Sequence, residues 1–259
     1  MLGLLETTLK FVTISEFIFI IIAILSAGFI RGFTGFGASL IIVMTLSVVF
    51  GPLIAVPIAC LSGLPSMFQL LPTAIRHAEK SFVLPFGLST FVAAPFGTLA
   101  LVSINPSIMK IGISIFVLLS VPMLYRQWHF KERLGLFFVI SGGIGAGLIQ
   151  GCAGVGGPPA VALALSRPTS PQRQRANVIG AVTALSICAI IPLWYHNLFT
   201  PKVLILSAFI VPGYVAAAWI GVRCFSTHGH RYFRNAAIFL LAGISLCTLI
   251  LAIRNYIAV

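Results

Sequence analysis

The sequence predicts an all-α integral membrane protein built as two inverted repeats, each a glycine-broken helical hairpin followed by three transmembrane helices. Three observations lead there. The chain is 59% hydrophobic and 8% charged, with a mean hydropathy of +1.11, whereas soluble domains carry about 25% charged residues. Apolar runs of about 20 residues, enough to cross ~30 Å of hydrocarbon, recur along the whole length. A glycine motif occurs twice: GFIRGFTGFGAS at 28–39 and GLIQGCAGVGGP at 147–158 share five of twelve positions, four of them glycine.

Residues 14–50 are apolar for 37 positions and interrupted by the first motif. At about 1.5 Å per residue this is too long for one crossing and short for two. It reads as a hairpin with at least one short arm and a glycine tip inside the membrane. Spans follow at about 52–72, 82–102 and 106–125. The basic stretch YRQWHFKER, 125–133, joins the first half, 1–128, to the second, 129–259. Residues 134–165 repeat the broken pattern over 32 positions, and spans follow at 176–195, 203–222 and 235–253. Further landmarks recur at matching places: GP at 51–52 against SP at 170–171, and Pro72 against Pro192.

Charge sets the orientation. If the 72–81 loop is cytoplasmic, alternation puts the 126–133, 166–175 and 223–234 loops on the same side. Those loops hold eleven Lys and Arg, against four (Lys10, Lys110, Lys202 and Arg254) on the opposite face. Cytoplasmic loops are the basic ones, so both termini are expected on the outer side of the membrane. Each hairpin then begins and ends on one side, and each half makes an odd number of crossings. The halves run in opposite directions, a recurring plan of secondary transporters.

The net charge of +12 lies in short loops between apolar spans. It therefore reports topology, and no nucleic-acid partner is expected. Cys60, Cys152, Cys188, Cys224 and Cys247 are scattered, without metal-ligand spacing, so no metal or other cofactor is expected. The first nine residues contain Glu6 and no Lys or Arg, which is not a signal-peptide n-region. G-x-S-x-G, H-E-x-x-H and G-K-[ST] are absent, as is aspartate, so an enzyme is not expected.

The glycine motifs carry the chemistry. Non-helical backbone at membrane depth survives only inside protein or beside a water-filled cavity. New short helices begin at ASLIIVMTL and GPPAVALAL, with Ser39 suited to an N-cap and Pro158 or Pro159 to the first turn. Helix starts present unpaired N–H groups and partial positive charge, which suits an anion. Arg31 adds a full charge and a planar donor fork. Gln150 stands at the matching place in the second motif, and Asn177 lies just inside the next span. The glycines also fit a second role: Gly28/Gly32, Gly143/Gly147 and Gly147/Gly151 are G-x-x-x-G pairs suited to close helix packing. For Arg31, snorkelling to an interface is the alternative, and for Asn177 an interhelical hydrogen bond. The membrane interior offers no acid for a proton or cation path, so a small anion is the expected substrate.

GFIRGFTGFGAS, GGIGAGLIQGCAGVGGPPAV (142–161) and RQRANVIG (173–180) make the chain resemble the sulfite exporter TauE/SafE family over essentially its whole length. The resemblance implies inner-membrane transport, often export, of sulfite, sulfoacetate or related sulfonates. By that likeness Gly35, Phe36, Gly37, Gly154, Val155 and Gly156 correspond to the family's glycine motifs; the likeness assigns no role to Arg31. The resulting expectation is a secondary transporter working by alternating access, with an anion channel or a small organic carboxylate transporter as alternatives. Its substrate-binding set is Arg31, Thr34, Gly35, Phe36, Gly37, Ser39, Gln150, Gly154, Val155, Gly156, Gly157 and Asn177. The bilayer and a small anion are its expected partners, and a homodimer is compatible with it.

Overall fold

The computed structural model describes residues 14–34, 36–125 and 135–224, with isolated positions between 243 and 254. Among the described residues every regular element is helical. The helices are α1 (Ile14–Thr34), α2 (Ala38–Phe50), α3 (Pro52–His77), α4 (Lys80–Ser103), α5 (Pro106–Tyr125), α6 (Leu136–Ala153), α7 (Gly157–Leu165), α8 (Pro171–Tyr195) and α9 (Pro201–Cys224).

The two breaks fall where the glycines stand. α1 ends at Thr34 and α2 starts at Ala38; α6 ends at Ala153 and α7 starts at Gly157. Gly37 has φ 90° and Gly154 φ 68°, conformations that a Cβ disfavours by roughly 1–2 kcal/mol. The arms after the breaks are short: 13 residues in α2 and nine in α7. At 1.5 Å per residue these reach only about 20 and 14 Å. Ser39 does not cap α2. Gly37 takes the N-cap position with no side-chain hydrogen bond, because the helix begins two residues earlier than a Ser39 cap would set it.

Among the described residues, four helices are long and apolar enough to cross a membrane: Lys80–Ser103, Leu136–Ala153, Gln172–Tyr195 and Pro201–Arg223. The span expected at 52–72 is a 26-residue helix interrupted by Pro57, Pro65 and Pro72. The one at 106–125 is a 20-residue helix with Pro122 inside it. The span expected at 235–253 lies outside the described residues apart from isolated positions. Interior prolines on this scale suit membrane helices, where neighbouring helices take up the freed backbone groups.

Packing is close where side chains are small. α1 lies against α9, and α6 lies against α4. A Cβ on Gly28 would meet the Tyr214 carbonyl, and one on Gly32 the Ala218 carbonyl. On the other pair, Gly147 faces Thr90 and Gly151 faces the Ala94 carbonyl. Thr90 and Thr98 on α4 donate to the Gly143 and Gly151 carbonyls of α6 at 3.2 and 3.4 Å. Small residues plus hydroxyls are how helices associate in lipid. The outward faces are apolar: Leu84, Leu88, Phe91 and Phe96 on α4, Phe137 and Phe138 on α6, and Phe209 and Trp219 on α9 are all exposed. Water would not tolerate so continuous an apolar surface. Between the outer helices, α3 packs on α8, and the short arms α2 and α7 pack on α3 and α8 respectively.

Candidate functional site

The breaks meet at a small cavity of about 30 Å³ in the middle of the bundle, room for on the order of one or two waters. α1 supplies Arg31. The first break and the start of α2 supply Phe36, Gly37 and Ser39, and the second break supplies Gln150, Gly154 and Gly157. Seven expected site residues from two distant motifs therefore share one wall. Sequence reading missed Cys60 and Gly63 from α3, Ser186 from α8 and Tyr214 from α9. Each is a lone small or polar residue in an apolar span, and such a residue does not say which way its helix turns.

Arg31 is 7% exposed, and its Nε is buried without a hydrogen-bond partner. It makes no ion pair among the described residues, whereas Arg167 Nε pairs with Glu79 Oε2 at 3.0 Å. Burying a charge is costly unless something compensates it. A guanidinium held in this way beside an open helix start is the arrangement that an anion would complete.

The second break is arranged differently. Gly156 N–H donates to Gln150 Oε1 at 3.0 Å. The Gln150 side chain therefore spans its own break and fixes the backbone there. Gly156 does not line the cavity, and Val155 is fully buried in the apolar core instead. Gly35 and the side chain of Thr34 lie outside the described residues.

Asn177 is not brought to the cavity. It is fully buried, and its Oδ1 accepts from the Glu79 N–H at 2.7 Å. That bond ties α8 to the start of α4, next to the Glu79–Arg167 pair. Gln174 Nε2 donates to the Leu165 and Arg167 carbonyls at 3.2 and 3.0 Å, closing the end of α7. This end of the bundle is thus a polar cluster linking both halves. A larger cavity of about 230 Å³ lies between α1, α2 and α9, lined by Phe17, Ile24, Leu46, Phe50, Leu206 and Phe209. It offers an anion nothing.

Apolar outer faces, membrane-length helices and two broken hairpins around a polar centre define a multi-pass membrane protein of the transporter type. The sulfite exporter TauE/SafE family profile matches residues 20–248, and the chain belongs to that family. No curated protein and no solved structure matches it.

Proposed function

We propose that the chain is a secondary transporter that exports a small anion, of the sulfite or organosulfonate class, by alternating access across the bacterial inner membrane. The observation that carries this reading is Arg31: a buried guanidinium with an unpartnered Nε, on the wall of the cavity where both breaks meet. The family supports transport of sulfite or related anions. The exchange of first helices supports a two-fold relation between halves, since α1 packs on α9 as α6 packs on α4. In this reading the halves rock about α3 and α8, both termini face the periplasm, and the basic loops face the cytoplasm.

Thermal stability of the purified, detergent-solubilised protein tests it. Sulfite, thiosulfate, sulfate, sulfoacetate, taurine and acetate are compared at matched ionic strength, with Arg31→Gln alongside. A ligand that prefers the folded state stabilises it in a saturable way. A saturable rise for a sulfur oxyanion, lost in the variant, is the expected result. A rise for acetate alone favours the carboxylate reading, and no rise for any anion counts against an anion site at Arg31.

A further inference from the structure

Among the described residues Arg31 is the one charged side chain on the cavity wall. The other polar side chains on the wall are uncharged: the Gln150 amide, the Cys60 thiol and the Ser39, Ser186 and Tyr214 hydroxyls. Described acids are elsewhere. Glu79 is engaged with Arg167. Glu16 precedes Arg31 on the same helix by about four turns, roughly 22 Å. Glu6 and Glu132 lie outside the described residues.

Acceptors for a cation are scarce too. The one side-chain carbonyl oxygen on the wall, Gln150 Oε1, is held by the Gly156 N–H. An ammonium group on a ligand would meet the like charge of Arg31 and the positive ends of two helices, with no carboxylate to set against them. A second negative charge on the ligand would likewise find no second cation on the wall.

Resting on the transporter reading above, we propose that the cargo is a compact anion of single charge with no cationic group. The loaded centre is then neutral, and the empty one carries the charge of Arg31. A neutral complex feels no membrane potential, whereas an uncompensated charge moved through the field does. With a negative interior, the empty carrier is drawn to its inward-facing state, where it reloads. The potential therefore drives the return limb of export.

The test uses the full chain in liposomes, with the potential set by a potassium gradient and an ionophore, and with formate, sulfite and taurine as probes. Exchange, in which both limbs are loaded, should run at one rate at every potential. Net efflux, which needs the empty return, should change several-fold between zero and a resting potential. Sulfite exchange should fall as the medium is raised through the second ionisation of sulfite, with formate exchange unchanged, and taurine should not exchange. Arg31→Lys, which keeps the charge, should keep the voltage step at a lower rate. Exchange that follows the potential, net efflux indifferent to it, sulfite carried equally as dianion, or taurine carried as fast as formate would each overturn the proposal and leave a transporter. Absence of saturable flux for every probe would remove the transporter reading and the proposal with it.

Discussion

The two breaks share a backbone plan and differ in what their side chains do. Both end a long helix, turn through a glycine at positive φ and start a short arm. In the second, Gln150 reaches across and accepts from Gly156 N–H. In the first, Arg31 occupies the matching place, and its Nε has no partner. On the proposed reading the second break satisfies itself, and the first leaves a charge for the anion.

The largest expected effect tests what the breaks have in common. Gly32→Leu and Gly151→Leu each drive a side chain into a neighbouring backbone carbonyl, that of Ala218 or of Ala94. Backbone cannot yield as a side chain can, so each should cost at least about 3 kcal/mol. Monodisperse protein should be lost in both, as read by size-exclusion chromatography. A well-behaved Gly32→Leu would show that α1 and α9 are not in close contact.

The next effect tests the difference. Arg31→Gln removes a charged donor, worth about 1.5–3 kcal/mol, and anion affinity should fall about 10- to 100-fold. Adding Gln150→Arg to that variant restores the charge on the other break, where Gly156 N–H then loses its acceptor. Affinity measured by titration calorimetry should stay low. Recovery would mean the breaks are interchangeable. Smaller again, Gln150→Ala leaves the Gly156 N–H unpaired and should lower thermal stability by about 1–3 kcal/mol. Its anion affinity should move far less than that of Arg31→Gln. Asn177→Ala removes the acceptor at Glu79 N–H and should cost only about 1 kcal/mol, as lost caps do, with affinity unchanged. A large affinity loss there would put Asn177 at the anion after all.

The helices and their breaks were legible because hydrophobic run length and glycine clustering are local signals. The breaks at 35–37 and 154–156 fall inside the two motifs. The cavity wall was legible only in part. Arg31 and Gln150 stand out as polar residues in hydrocarbon, while Tyr214, Cys60 and Ser186 reach the cavity through the rotation of α9, α3 and α8, which sequence alone does not fix. Asn177 stood out for the same reason as Gln150. Its partner is a backbone N–H from the other half, however, and tertiary packing alone decides that. Ser39 suited a cap by residue type, but Gly37 at positive φ begins the helix without one.

The exchange of first helices also governs how the molecule is made. α1 leaves the ribosome well before α9, yet the surface that covers Gly28 and Gly32 belongs to α9, completed only at residue 224. At ~5–20 residues per second, that is a wait of roughly 10–40 s. During it, a helix with a charge near its tip stands in the bilayer without its partner. A chain stalled before residue 201 should therefore expose positions 28 and 32 to a lipid-borne crosslinker that the finished protein excludes. Protection in the stalled chain would show that some other part of the nascent protein, or the insertion machinery, shelters α1 until α9 arrives.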